Sequence, residues 1–445
     1  MTIASDTAVV YADKRPARLS YQTLLNAVFA VFVFSGLLAF VEPSPYDFVS
    51  FLAIPLWFIG GFRINRVQVP ILVLWTIFEI TGFAALLPHW DDADARLYQF
   101  QSLYLYGTVV CFTLFFGERT TERAEICLKA YTFGAAISAF ISILSYFDVG
   151  GLGGQLITVE GRVSGTFKDP NVFGSYLLLG IAYCFQDLLI GRGPRRILSL
   201  ATFILLFVGV FISYSRGSLG ATTLVLVIMM ITTYMTSASR SDRRRVLIMS
   251  AGAVCIIALI LLAVLSDENV RDFFLVRATQ QDYDEGATGR FGNQLRSIPM
   301  LLSLPNGFGP LRFRLFFDLE PHNSYIGGFA NNGWLGGFSW ILIVLLTCYV
   351  GFRLISLPSP YRRLAQVVWP VLFAFLLQGF QIDIDHWRHV FLLFGLVWGL
   401  EAARMRWQAR NRQRAAEFAN INHDSGLRAT AGSDDHIFLT SLRQG

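Results

Sequence analysis

The chain has 445 residues, of which 54% are hydrophobic and only 15% are charged, and its mean hydropathy is +0.51. This composition excludes an ordinary soluble enzyme and is typical of a polytopic membrane protein. The net charge of +5 comes from basic residues between the apolar segments, so it does not indicate a nucleic-acid partner.

Apolar segments long enough to cross a bilayer as helices, about 20 residues each, recur along nearly the whole chain. The first segment lacks the features of a cleavable signal, and the five cysteines have no CxxC spacing, so neither disulfides nor zinc are expected. The pattern predicts an all-α polytopic membrane protein with about twelve transmembrane helices, near residues 22–41, 46–62, 68–87, 97–117, 126–147, 171–190, 196–213, 217–236, 246–265, 323–350, 364–382 and 387–406.

These segments define an N-terminal tail (1–21), a transmembrane domain (22–406) and a polar C-terminal tail (407–445). Only the connection 266–322 has room for additional structure. Most of the 36 Lys and Arg residues lie in one set of alternate connections. Because positive residues concentrate on the cytoplasmic side, both termini are predicted to be cytoplasmic and the long connection to face the opposite, outer side.

Several basic residues break this pattern, since they lie in outer connections that should carry few cations. An arginine at the hydrocarbon boundary is costly unless it meets an anion, and its planar guanidinium matches phosphate oxygens. The residues are Arg162 and Lys168 in GRVSGTFKDPN (161–171), Arg216 in SYSRGSLG (213–220), Arg290 in ATGRFGNQ (287–294) and Arg388 in DIDHWRH (383–389).

Helix starts on the outer side strengthen this pattern, because the positive N-terminal end of a helix dipole attracts anions. Asp169 is predicted to cap a helix that begins with Pro170 and Asn171. Further caps are predicted at Ser213 or Ser215, and at Asn323 or Ser324.

Together, the cations and helix ends indicate a receptor for a strongly anionic group, such as a pyrophosphate carried on a lipid. For any single arginine, contact with a lipid headgroup or with a carboxylate such as Asp169 or Asp385 is an alternative.

His322 lies in PHNSYIGGFANNGWLGG (321–337), directly after the long connection and at a predicted helix start. Arginines and helix N-termini disfavour the protonated imidazole, so His322 is a candidate general base. A capping or headgroup-contacting histidine is the alternative interpretation.

Asp385 stands one helical turn before Arg388 and His389, so a pair that orients the helix end is expected there. Positioning of Arg388 toward an anion or a sugar hydroxyl is the alternative. The acidic segment DYDEG (282–286) lacks the spacing of a calcium loop, so we expect no metal site.

Taken in order, GRVSGTFKDPN, SYSRG, TGR with the downstream LPNGFGP, and PHNSYIGGFANNGWLGG resemble the bacterial O-antigen ligase and Wzy-type polysaccharide polymerase superfamily. The similarity covers roughly residues 160 to 340. It implies a GT-C-like membrane fold in the bacterial inner membrane and a catalytic site facing the periplasm.

The resemblance also implies metal-independent, cofactor-independent transfer of glycan from undecaprenyl pyrophosphate to an acceptor hydroxyl, with inversion at the sugar carbon. On this basis His322 matches the catalytic base, Arg216 and Arg290 match pyrophosphate-binding arginines, and Arg162 and Lys168 occupy a further basic loop. Supporting roles are expected for Asn323, Asp385, Arg388, Asp169 and Asn171.

The motifs favour polymerisation of exopolysaccharide or O-antigen repeat units, since DIDHWRHVFLLFGLVWGL resembles polymerases more than ligases. Ligation of finished polymer to the lipid A core is one alternative, and a flippase or other transporter is another, from a different class. The expected partners are the lipid-linked donor, a glycan acceptor, membrane lipids and a chain-length regulator.

Overall fold

The computed structural model describes residues 20–41, 43–157, 161–191, 193–279 and 286–424. Residues 1–19 and 425–445 of the predicted tails, and residues 282–285 of the acidic segment, lie outside this part of the chain. Within the described ranges the chain forms helices and two isolated β-bridges but no β-strand. The helices are α1 (Tyr21–Ser35), α2 (Pro45–Ile59), α3 (Val69–Leu86), α4 (Ala93–Phe115), α5 (Thr120–Tyr146), α6 (Gly153–Leu156), α7 (Pro170–Ile190), α8 (Arg195–Ile212), α9 (Arg216–Thr236), α10 (Arg240–Leu265), α11 (Glu268–Thr279), α12 (Arg290–Ser303), α13 (Arg314–Phe317), α14 (Ser324–Ser356), α15 (Arg362–Gln378) and α16 (Arg388–Asp424).

Seven helices of the described chain are long and apolar enough to cross a membrane, namely α3, α5, α7, α8, α9, α10 and α14. The prediction of an all-α, multi-pass membrane protein is confirmed at this level. Every predicted apolar segment overlaps a helix. However, α1 and α2 contain 15 residues each and α15 contains 17, which is fewer than the roughly 20 needed to cross the hydrocarbon layer.

Aromatic side chains from α3, α14 and α16 meet in the middle of the helix bundle. The ring of Trp75 lies edge-on to Trp340 and Phe394, with centroid separations of 5.8 and 5.6 Å. Phe391 packs against the same indole at 5.5 Å. Such pairs fix helix positions more specifically than aliphatic contacts, because the ring quadrupoles favour edge-to-face geometry.

Three of the predicted helix caps are confirmed by their hydrogen bonds. Asp169 accepts from the amides of the second and third residues of α7, whose first residue is Pro170. Ser215 accepts from Ser218 N at the start of α9, and Asn323 accepts from two amides at the start of α14. These caps satisfy amides that a helix cannot pair internally.

The connection 266–322 carries three short helices and docks onto a kink in α14. Gly333 has φ 66° and ψ −168°, a conformation that is essentially restricted to glycine. The kink releases Trp334 N, which donates to Pro305 O at 2.8 Å, while Phe308 N donates to Ala330 O at 2.7 Å. Backbone hydrogen bonds thus anchor the connection to the helix that follows it.

Several helix N-termini gather at one end of the bundle, as contacts across the chain demonstrate. The start of α16 meets that of α2 through Arg388 and Asp47, at 2.9 Å. The starts of α7 and α9 meet where Ser218 Oγ donates to Asn171 O, at 3.3 Å. Ser324 N, at the start of α14, donates to Gly379 O at 2.8 Å. Residues 379–387, which join α15 to α16, therefore lie at this end.

Candidate functional site

His322 precedes the capping residue of α14, and its backbone has a positive φ of 45°. Residues other than glycine rarely adopt this conformation unless their surroundings enforce it. Here Gln294 Nε2, from α12, donates to Pro321 O at 2.8 Å. The imidazole Nδ1 lies 3.4 Å from Asp383 Oδ2, and the two side chains are 33% and 31% exposed. A carboxylate thus orients the ring at a position that solvent still reaches.

Asp383 connects this imidazole to the start of α14. Its Oδ1 accepts a hydrogen bond from Asn323 N at 2.9 Å, while Oδ2 faces His322. Burial raises the pKa of Asp383 above its ordinary value, and the charge of Asp385 raises it further, although the hydrogen bond with His322 acts in the opposite direction. Asp383 thus links Nδ1 of His322 to the backbone at the start of α14.

The first four residues of the segment 379–387 are held through their backbone. Four consecutive carbonyl groups accept hydrogen bonds from other elements. The pairs are Gly379 O with Ser324 N (2.8 Å), Phe380 O with Asn323 Nδ2 (3.2 Å), Gln381 O with Arg290 Nη1 (2.7 Å) and Ile382 O with Ser324 Oγ (3.3 Å).

Two of the predicted arginines adjoin this segment. Arg290, the first residue of α12, contacts Gln381, only two residues before the partner of His322. Arg216 is exposed at the first position of α9. The next residue, Gly217, packs so closely on Gln378 that an added Cβ would lie 3.0 Å from its Nε2. Arg290 and His322 thus adjoin the connection between α15 and α16, and Arg216 begins the helix whose second residue packs on Gln378, the last residue of α15.

Arg162 is buried beneath the start of α9, with 6% exposure. Its Nε donates to Ser213 O at 3.1 Å, and its Nη2 donates to Asn171 Oδ1 at 2.8 Å. Arg162 therefore links the segment before Arg216 to the start of α7, through Ser213 and Asn171. In contrast, Lys168 is exposed. Together with Asp169 and Arg388, it lines a cavity next to the start of α16.

The expected pair between Asp385 and Arg388 does not form, so this prediction is wrong. Arg388 instead donates to Asp47 Oδ2 at 2.9 Å. Asp385 accepts from Tyr98 Oη at 2.9 Å and lies 3.4 Å from His386 Nδ1. The reason is local, because α16 begins at Arg388, and Asp385 lies outside the helical spacing that would align the two side chains.

Two acidic residues of the site were not identified from the sequence. Asp383 opens the motif DIDHWRH, and Glu320 stands two residues before His322. The pKa of Glu320 is raised by burial and then by the charge of Asp383. The proximity of Glu320 to His322 along the chain was a usable signal, whereas the pairing of His322 with Asp383 spans 61 residues of sequence separation.

The described residues include no group of three or more His, Cys, Asp or Glu side chains arranged as metal ligands. No protein-family model matches the chain, and no curated protein matches it either. The site is therefore defined by its geometry: an imidazole paired with a carboxylate, and two arginines next to the segment that supplies this carboxylate.

Proposed function

We propose that this protein transfers a glycan from undecaprenyl pyrophosphate to an acceptor sugar hydroxyl, joining repeat units of an exopolysaccharide or O-antigen. The observation that carries the proposal is the contact of Arg290 and of the His322–Asp383 pair with the connection between α15 and α16, beside the start of α9, where Arg216 stands and Gly217 packs on the last residue of α15. A diphosphate leaving group requires cations, and an attacking hydroxyl requires a base.

In the proposed reaction, the acceptor oxygen attacks the anomeric carbon as the bond from that carbon to the pyrophosphate oxygen breaks, with inversion. The hydroxyl proton passes to Nε2 of His322, because Nδ1 is directed at Asp383. The carboxylate stabilises the resulting imidazolium. Arg216 and Arg290 bind the departing pyrophosphate, whose negative charge increases as the bond breaks.

The other predicted residues act around this centre. Arg162 is too deeply buried to reach a large donor freely, and it holds Asn171 and Ser213 in position below Arg216. Asn323 fixes the start of α14 next to His322. Lys168 lines the cavity next to the start of α16, where it contacts the approaching glycan or lipid.

The proposal includes a membrane arrangement. About twelve helices of a GT-C-like fold cross the bacterial inner membrane, with both termini in the cytoplasm and the site facing the periplasm. The residues in the connections support this orientation, since the cytoplasmic set carries most of the Lys and Arg. Helices α1, α2 and α15 contribute shortened spans packed against longer neighbours.

The deciding experiment expresses variants in a strain from which the natural gene has been deleted and compares its glycans. His322→Ala and Arg216→Ala are expected to abolish polymer while the protein still inserts in the membrane at normal abundance. Matched controls are His89→Ala, whose ring contacts Phe308 O, and Arg353→Ala, which is half-buried at the far end of α14 and donates to Tyr349 Oη. Full-length glycan from both site variants would exclude the enzyme.

The species that accumulates distinguishes the two transfer reactions. Loss of a polymerase leaves single repeat units on the carrier lipid or on the core, whereas loss of a ligase leaves long chains on the carrier. If repeat units instead accumulate on the cytoplasmic side, the protein is a transporter of the lipid-linked glycan. Co-purification with a chain-length regulator would support the polymerase.

A further inference from the structure

The cavity that Lys168 lines has a volume of about 160 Å³ and lies among α1, α2, α5, α7 and the start of α16. Residues 386–389 border it, so it begins where the segment carrying Asp383 ends. This volume accommodates on the order of ten water-sized positions, which is more than a single structural water occupies. The cavity is therefore large enough for one small organic group.

Several residues that line this cavity carry buried polar atoms without partners among the described residues. Tyr46, Tyr176 and His389 are 4%, 1% and 6% exposed. The two hydroxyl groups and His389 Nε2 have no hydrogen-bond partner among the described residues, and neither has Nε2 of His386. Buried polar groups are almost always paired in folded proteins, so this concentration indicates a bound group that both donates and accepts hydrogen bonds.

The charges around the cavity disfavour an anion inside it. Arg388 is already paired with Asp47, whose carboxylate also accepts from the amide at the start of α2. Asp169 likewise occupies the N-terminus of α7. Lys168 is exposed at the mouth rather than buried among the unpaired groups. Arg388, Asp169 and His386 each already have a polar partner, so a neutral group adds no unpaired charge to the interior.

Aromatic rings form much of the wall. Tyr176 packs against Phe167 and His389, with centroid separations of 4.8 and 5.9 Å, and Trp387 lies 5.4 Å from His389. Flat apolar faces combined with a few neutral hydrogen-bonding groups are typical of ligand pockets. A pyranose ring has the matching surface, with C–H faces and a rim of hydroxyl groups.

We propose that this cavity is a subsite for one neutral sugar residue, held by Tyr46, Tyr176 and His389. The assignment of this sugar to the acceptor glycan rests on the proposed function, because only the transfer reaction requires a second glycan. Sugar binding itself does not depend on His322. A glycan seated here would extend past residues 386 and 385 toward the imidazole.

The test measures binding of glucose, galactose and N-acetylglucosamine to the purified full-length protein by saturation-transfer difference NMR. A detergent without a sugar headgroup is required, since alkyl glycosides would compete for the site. At least one sugar is expected to bind, and Tyr46→Phe and Tyr176→Phe each weaken it about three- to tenfold, as loss of one neutral hydrogen bond predicts. Tyr106→Phe is the matched control, because its hydroxyl pairs with Thr76 instead.

Equal sugar binding by the wild type and the Tyr46→Phe/Tyr176→Phe double variant overturns the inference, and so does the absence of any binding. Inorganic phosphate binding that depends on the same two hydroxyl groups overturns it as well. His322→Ala separates this inference from the transferase proposal. If His322→Ala binds sugar and still makes normal polymer, the transferase proposal is wrong and the subsite is retained. If polymer formation requires His322 but the protein binds no sugar, the subsite is wrong and the transferase proposal is retained.

Discussion

Arg290 donates a hydrogen bond from Nη1 to the carbonyl oxygen of Gln381, at 2.7 Å. This contact joins the first residue of α12 to the segment that presents Asp383 to His322. The cation and the imidazole are thereby held by the same short length of backbone. The two contacts lie only two residues apart in the sequence, at Gln381 and Asp383.

Replacement of Arg290 tests its proposed role in binding the departing pyrophosphate. Arg290→Ala is expected to lower kcat/KM for the lipid-linked donor by about 100- to 1000-fold, the usual effect of removing a group that stabilises charge in the transition state. Arg290→Lys keeps the charge but loses the planar donor geometry, so an intermediate loss is expected. A transfer assay with purified donor measures both.

The control for Arg290 is Arg312→Ala, because Arg312 belongs to the same connection but pairs with Asp92 at 3.2 Å. Arg312→Ala is expected to retain near-normal transfer. If it is as defective as Arg290→Ala, general disruption of residues 286–322 explains both, and the role assigned to Arg290 is wrong.

Asp383→Asn is expected to reduce kcat by about 10- to 100-fold, less than the roughly 100- to 10,000-fold loss expected when a general base is removed. The amide still accepts the hydrogen bond from Asn323 N, so the fold is retained. The loss in kcat is expected because the imidazolium loses its neighbouring carboxylate. KM for the donor should remain nearly constant.

A purely structural role for Asp383 predicts a different result. It would lower the amount of folded protein and the melting temperature while kcat per folded molecule stays near normal. Measurement of the melting temperature and kcat on Asp383→Asn and Asp383→Ala therefore separates orientation of His322 from maintenance of the fold.

The Asp385–His386 pair is expected to make stability depend on pH. Burial acts to lower the pKa of His386, but the hydrogen bond and charge of Asp385 outweigh it and raise this pKa above 6.5. Burial acts to raise the pKa of Asp385, but the charge and hydrogen bonds of His386 and Tyr98 lower it below 3.8. The pair therefore contributes its full stabilisation of the fold at pH values between the two ordinary pKa values, 3.8 for Asp385 and 6.5 for His386.

This stabilisation is lost as pH rises through the raised pKa of His386, and also as pH falls through the lowered pKa of Asp385. Hence the melting temperature of the wild type should exceed that of His386→Gln most at about pH 5.5, and the difference should shrink on the alkaline side. His89→Gln serves as control. A difference that grows with alkalinity would contradict the sign of the pKa shift of His386.

Gly333→Ala is expected to destabilise the protein by about 3 kcal/mol or more, since a residue with a side chain is strained at this backbone conformation. The new Cβ would also lie 2.4 Å from Pro305 O. Gly327→Ala, in the same helix, meets no atom nearer than 3.6 Å and should be nearly neutral. Thermal unfolding compares the two, and equal melting temperatures would refute the strain.

The sequence was sufficient for features that depend on neighbouring residues. Asp169, Ser215 and Asn323 were identifiable as caps because a cap bonds amides two or three positions later. The apolar segments were identifiable because length and hydropathy are properties of contiguous residues.

Pairings between distant elements were not accessible in this way. Arg388 meets Asp47 from 341 positions away, and its nearer candidate partner, Asp385, lies outside α16. The left-handed backbone at His322 is imposed by contacts from α12 and the connection 379–387, so local propensity gave no indication of it. The neutral cavity likewise requires several helices to be packed before it exists.

The four carbonyl groups at residues 379–382 bear on how this protein can diverge among its descendants. Phe380 and Gln381 are exposed, and the attachment of their segment runs through backbone atoms that every amino acid possesses. Mutations at these two positions can accumulate without moving the imidazole. If the proposed transfer reaction holds, lineages therefore have a place beside His322 where preference for a new glycan can evolve while the chemistry is inherited intact.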